Sequence, residues 1–231
     1  MDHHYDIAII GMGCAGSHVV QELLRRKTDL KVVVIDDFKA NSLEKTWSYW
    51  EQGKGLWDHL ISHSWDKGSF IMPHDFIHLD LDGYVESREF IAFAKAELQQ
   101  HHNFQLLEEK VHKVSGDKVQ QIECDHTIIT ADLVLDSRID KTFFTDTKAI
   151  TLLQHFLKIE NYSIEKTEQG IIPMSTYKFE QHHEKNIFKI GTGGGWVKPS
   201  TGYSFKMSEK KAAQLVDNIL SNRDINHGMI S

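Results

Sequence analysis

The stretch IAIIGMGCAGSHV, residues 7–19, decides how the chain is read. YDIAIIG, residues 5–11, is a short apolar run and predicts a buried strand. The glycines that follow have the spacing GxGxxG, and each has a physical task. Gly11 permits the tight turn out of the strand, Gly13 lets backbone approach a pyrophosphate, and Gly16 lets helix and strand pack closely. CAGSHVVQELLRR then predicts a helix with Val19, Val20, Leu23 and Leu24 on one face. The first turn of that helix, with Ala15 in it, offers unpaired N–H groups and a partial positive charge to phosphates. LKVVVIDD is a second buried strand, completing a βαβ unit. It ends at Asp36, 20 residues after Gly16. A carboxylate there can accept both hydroxyls of an adenosine ribose and disfavours a 2′-phosphate, so NAD or FAD fits better than NADP. Asp37 is the alternative for the same role.

Working outward, GYVESREFIAFAKAELQQ contains a helix from about Ser87, with Phe90, Ile91, Ala94 and Leu98 inward. Residues 103–138 read as a β-meander ending in the buried strand ADLVLDS. A second glycine-rich stretch, IGTGGGWVKPSTGYSF, occupies residues 190–205 and precedes a helix from about Ser208 to Leu220. An NAD domain would continue βαβαβ through its sheet. This chain leaves after the second strand and returns at VLDSR and the late glycines, a pattern that favours FAD.

The bulk numbers exclude several classes. A net charge of −7 argues against a nucleic-acid surface. The 15 histidines are scattered or in pairs and are expected at the surface, with no metal site. Cys14 and Cys124 have no CxxC partner, which fits a reducing cytosol without disulfides. No run approaches the ~18 apolar residues of a spanning helix, so the expectation is a cytoplasmic protein, at most peripheral on the inner membrane.

The late glycine stretch, together with KTWSYWE (45–51), LVLDSR (133–138), LLQHFL (152–157) and EQGIIPMS (168–175), closely resembles bacterial-type lycopene β-cyclases. The resemblance covers residues 5–157 and 162–220. It implies an α/β, Rossmann-like FAD-binding fold of the glutathione-reductase/hydroxylase type, with a β-meander and a reduced substrate domain. The whole chain, 1–231, would be a single FAD-binding domain with its core in 1–150 and 162–222. Remnants of the substrate domain would lie around 40–85 and 151–175. Gly11, Gly13, Ala15, Gly16 and Asp36 would hold the ADP half of FAD. Asp136 and Arg138 would sit near the flavin, and Gly191, Gly193, Gly194 and Gly195 beside its pyrophosphate or ring. Thr201, Gly202 and Tyr203 would lie on the flavin side, and Arg88 at its helix start would touch the cofactor. The implied reaction is a non-redox isomerisation in carotenoid synthesis. A terminal double bond of lycopene is protonated, a carbocation closes the ring, and a proton leaves. Reduced FAD, with NAD(P)H as reductant, would support the cation.

The chain departs from that family between LLQHFL and YSIEKTEQGIIPM, where only Lys158 to Asn161 remain. In the family this interval carries much of the substrate-binding sheet and an acidic motif of the Leu/Val-Glu-x-Thr kind. Glu165 aligns with the strand leading into EQGIIPM, not with that motif. The acids left as catalytic candidates are Glu51, after WSYW, and Glu168, before GIIPM. Trp47, Tyr49 and Trp50 either stabilise a cation through their π faces or anchor the core. Three readings stay open: a cyclase-like flavoprotein of weak or absent activity, a non-catalytic FAD-binding module, and a small FAD/NAD-dependent oxidoreductase. The last is disfavoured by the lack of a visible redox pair. Loss of an internal sheet would expose apolar faces, which favours a homodimer or contact with a bilayer.

Overall fold

The computed structural model describes residues 3–39, 46–49, 51, 53–64, 68–72, 75–79, 84–139, 183–184, 186–198 and 203–229. In chain order, β1 (His4–Ile10), α1 (Cys14–Arg25) and β2 (Val32–Ile35) form the expected βαβ start. Then come β3 (Thr46–Ser48), β4 (Ile61–His63), β5 (Gly68–Met72), β6 (Asp75–Leu79), β7 (Tyr84–Glu86) and α2 (Ser87–Leu98). They are followed by β8 (Phe104–Leu107), β9 (Val111–Gly116), β10 (Gln120–Cys124), β11 (Ile128–Asp136), β12 (Ile187–Lys189) and α3 (Phe205–Leu220).

The central sheet runs β8-β2-β1-β11-β10-β9, and β12 joins the end of β11. Strands β8, β2, β1, β11 and β12 are mutually parallel. Two small sheets, β3-β7-β4 and β5-β6, come from the aromatic middle of the chain. The mixed α/β architecture is that of a Rossmann-type dinucleotide fold, as expected. One element differs. Phe104–Leu107 was expected to open the meander, yet β8 pairs in parallel with β2. Parallel pairing needs a crossover, and α2 supplies it. The meander is β9, β10 and β11.

Alternation along β1 and β2 explains their uniform apolarity. Ile7, Ile9, Val32 and Val34 pack with Val19, Val20 and Leu23 of α1, Ile91, Ala94 and Leu98 of α2, and Leu215 and Val216 of α3. Ala8, Ile10, Val33 and Ile35 turn to the other face, against Ile122, Ile129 and Val134. A strand covered on both faces carries no polar alternation. α3 begins at Phe205, one turn before the expected Ser208, because Phe205 is drawn into an aromatic cluster with Tyr49, Trp57 and Phe90.

Gly16 fits because it lacks a side chain: a Cβ there would lie 2.0 Å from the Gly11 carbonyl oxygen. Gly16→Ala therefore forces α1 off β1 and should cost about 3 kcal/mol, read as a lower urea midpoint at unchanged m-value.

Candidate functional site at the carboxyl edge of the sheet

All five parallel strands end at one edge, where open α/β sheets hold ligands. Gly11 follows β1 with φ +91°, and its N–H donates to Ile35 O at 2.8 Å. Ser137, just past β11, donates through both N–H and Oγ to Ile10 O, at 2.9 and 2.8 Å. A Cβ on Gly11 would collide with Ser137 Oγ at 2.0 Å. Asp36 reaches into this loop: Met12 N–H donates to Oδ2 at 2.6 Å and Phe38 N–H to Oδ1 at 2.7 Å. Asp37 instead accepts from Lys39 N–H, so Asp36 is the acid turned toward the glycines.

Gly13 is different in kind. A Cβ there would meet nothing within 4 Å. It is the N-cap of α1, no side chain caps that end, and no acid stands in the first turn. Helix N-termini of this sort bind phosphate.

The late glycines come to the same place. Gly191–Gly194 form a single 3-10 turn that ends on Gly195 in the left-handed region, φ +68°. A Cβ on Gly191 would stand 3.2 Å from Ala15 Cβ, so the two glycine stretches touch. Gly194 and Gly193 press on the chain's own backbone: their Cβ atoms would fall 2.1 Å from Lys189 O and 3.1 Å from Arg138 O. A tight turn against β11 and β12 is therefore a sufficient reason for the glycines.

Asp136 and Arg138 pair with each other. Asp136 is buried and accepts from Arg138 N–H, Nε and Nη2 at 3.0, 2.9 and 3.0 Å, and from Lys189 Nζ at 2.7 Å. Burial opposes its ionisation, but the Arg138 and Lys189 charges and hydrogen bonds outweigh it and hold the carboxyl below the usual range. Arg138 also donates to Val111 O at 3.2 Å. The group fastens β11 to β12 and the meander. Lys189 was not anticipated, since nothing in sequence links it to Asp136.

Arg88 is exposed in the first turn of α2 and, among the described residues, forms no hydrogen bond to either glycine stretch. Tyr203 O accepts from Lys198 N–H at 2.9 Å, and its side chain packs on the aromatic cluster. Glu168, Trp50, Thr201 and Gly202 lie outside the described residues.

Glu51 sits in a second, half-buried cluster. Lys206 Nζ lies 2.7 Å from Glu51 Oε1 and 2.7 and 2.8 Å from the two Glu209 oxygens. Trp57 Nε1 donates to Glu209 Oε2 at 2.6 Å. Burial lowers the Lys206 pKa, but the bonds and charges of Glu209 and Glu51 more than restore it, so the ammonium stays charged. Tyr49 stacks on Phe205 at 5.0 Å and 13°, which makes it a core anchor. Burial first, then Glu51 and its neighbouring acids, raise its phenol pKa and keep it neutral.

The sequence model of the lycopene cyclase protein family matches residues 6–161 and 146–229, nearly the whole chain. The chain belongs to the lycopene cyclase family. The two matched segments overlap beside Lys158–Asn161, where the sequence places the missing interval. No curated protein sequence matches this family member. Among solved structures, pqsL of Pseudomonas aeruginosa, described as "a probable FAD-dependent monooxygenase", aligns at TM-score 0.58 and 10% identity over 97% of this chain and 89% of that one. The peptidyl tryptophan dihydroxylase QhpG aligns at 0.45 and 17%, over 60% of this chain and 33% of its own. An oxidoreductase from Agrobacterium tumefaciens aligns at 0.37 and 19%, over 59% and 36%. The chain thus spans about a third of the length of the last two. The likeness to pqsL, at 10% identity, shows the fold, which many activities share. Among the described residues of this cyclase-family chain, no helix is long and apolar enough to cross a membrane, and no group of three His, Cys, Asp or Glu side chains could hold a metal ion.

One histidine contradicts the expected surface placement. His18 on α1 is buried among the rings of Trp57, Phe90 and Phe205, at 5.3, 4.7 and 4.7 Å. The helical period alone could have flagged it, one position before Val19. Burial, and secondarily the Lys206 charge, push its pKa down to about 3. The unfolded chain binds a proton near pH 6.5 and the folded chain does not. Stability is therefore complete above about pH 6.5 and falls as pH drops toward 3, with a limiting slope near 1.4 kcal/mol per pH unit. His18→Leu should flatten this window, seen as a lower acid-unfolding midpoint by circular dichroism.

Proposed function

We propose that this chain binds FAD along the carboxyl edge of its sheet and is a bacterial β-type lycopene cyclase relative with weak or absent cyclase activity. The contact of Gly191 with Ala15 carries the reading, because it brings the two glycine stretches to one ligand's reach. The uncapped N-terminus of α1, open at Gly13, supports a pyrophosphate seat, and Asp36 a ribose contact. Tyr203, Thr201 and Gly202 are proposed on the flavin side, with Gly193–Gly195 closing the edge and Arg88 at its border. Asp136 and Arg138 serve by holding β11 and β12 in place. When bound, reduced FAD, regenerated by NAD(P)H, would supply negative charge beside a carotenoid cation.

Cyclisation of lycopene needs an acid held in a dry site to protonate a terminal alkene. The family's acidic motif has no counterpart in the sequence, and Glu51 is committed to Lys206. That ion pair favours a second reading, an FAD-binding module without catalysis. Glu168 is the remaining proposed acid. Association with a second copy or a bilayer is proposed on the same ground as before, the missing substrate sheet.

Purified protein should take up flavin near a 1:1 ratio and turn yellow. Well-folded material that stays colourless in excess FAD would refute the proposal. Gly13→Val should weaken flavin binding at least tenfold, about 1.4 kcal/mol, while leaving the melting temperature unchanged because its side chain enters open space.

In a lycopene-producing host, the reading predicts cells that stay red or shift only slightly. A full change to orange would establish the chain as a competent cyclase and remove the argument from Glu51.

A further inference from the structure

Two side chains hold the peptide that leads into α1, one from each side of Met12. Met12 N–H donates to Asp36 Oδ2 at 2.6 Å. Met12 O accepts from the Ser17 hydroxyl at 3.1 Å. Ser17 is fully buried on α1, and its own N–H donates to Gly13 O at 2.9 Å, the first bond of the helix ladder. Met12 O lies one residue before that ladder, so it relies on a side chain for a partner. A buried hydroxyl in an apolar helix is paired as a rule, and Ser17 gives its proton to this carbonyl.

The bond has a directional consequence. The C=O and N–H of a trans peptide point to opposite sides. With Met12 O turned onto Ser17, the Gly13 N–H of the same peptide points away from Ser17. Among the described residues that N–H has no hydrogen-bond partner. Gly13 is extended, at φ −75° and ψ −162°, and a Cβ on it would meet nothing within 4 Å. Glycine also permits the opposite sign of φ, so without a tie on the carbonyl side this peptide is free to turn over.

We propose that Ser17 is a positioning residue of the phosphate seat. Its hydroxyl locks the Met12–Gly13 peptide so that the Gly13 N–H faces a phosphate together with the unpaired N–H groups of the first turn of α1. Asp36 completes the lock on the amino side of Met12. The inference rests on the reading of the glycine edge as a dinucleotide site and adds the residue that aims its donors. Ser17, being buried, acts through the backbone and not by contact with the ligand. A donor fixed before binding spares the ligand part of the cost of ordering it.

The test is calorimetric titration of the full chain with ADP and adenosine, which differ only in the diphosphate. The wild type should bind ADP at least tenfold tighter than adenosine. Ser17→Ala should lower ADP affinity about tenfold and leave adenosine affinity unchanged. Ser17→Cys, which nearly keeps the volume but donates weakly, should fall between the two. Amide exchange followed by NMR gives a second readout. ADP should slow exchange of the Gly13 amide in the wild type and not in Ser17→Ala. An unchanged ADP preference in Ser17→Ala overturns the proposal. So does an equal loss of ADP and adenosine binding, which a merely structural role would give, or a Gly13 amide already protected without ligand. Wild-type chain that binds ADP no tighter than adenosine overturns it as well. Flavin uptake is read separately by colour. Yellow protein whose Ser17→Ala variant keeps its ADP preference leaves the flavin reading standing. Ser17-dependent ADP binding by protein that stays colourless in FAD removes that reading and leaves the positioning role.

Discussion

The closest approach of α1 to β1 is the constraint on which the rest depends. With hydrogen alone on Gly16, the helix sits against the Gly11 carbonyl, and Gly11 in turn sits against Ser137. That contact brings the uncapped end of α1 to the point where β1 and β11 finish. It also leaves room for Gly191 to lie on Ala15. Three distant parts of the chain therefore share one edge without a side chain among their glycines. Close backbone packing of this kind tolerates no added methyl, because interiors are dense and their atoms cannot move independently.

Charge organises the same edge from behind. Asp136 is buried, and its cost of burial is offset by three contacts from Arg138 and one from Lys189. The ammonium of Lys206 plays the same part between Glu51 and Glu209 on the aromatic side. In both groups every charge has an opposite partner within hydrogen-bond reach, the condition under which buried ions persist. A carboxylate used in this way fixes structure and is poorly suited to carry a proton. Asp136, Glu51 and Glu209 are thus engaged in holding the chain together.

The two ends of α1 lie in different surroundings. The first turn of α1 faces the glycine edge, where Gly13 opens to space. One turn further, His18 enters an aromatic cluster that also receives Trp57, Phe90 and Phe205. Beyond it the helix borders a cleft toward the other end of the sheet.

Local signals made much of this legible in the sequence. The run of β-branched residues, the GxGxxG spacing and Asp36 depend only on near neighbours, and they define the βαβ unit, the glycine turn and the acid beside it. The apolar period of α2 was equally readable. Tertiary structure alone decided that β8 lies beside β2, that Gly193 and Gly194 are required by their own backbone, that Asp136 and Arg138 bind each other and Lys189, and that His18 is internal. The pairing of β8 with β2, of Lys189 with Asp136 and of His18 with Trp57 joins residues tens of positions apart, whereas Asp136 with Arg138 and Gly194 with Lys189 are near in sequence and are set by the turn itself. A one-dimensional pattern records which residue types are present, whereas partner and burial are set when the sheet brings distant strands to a common edge.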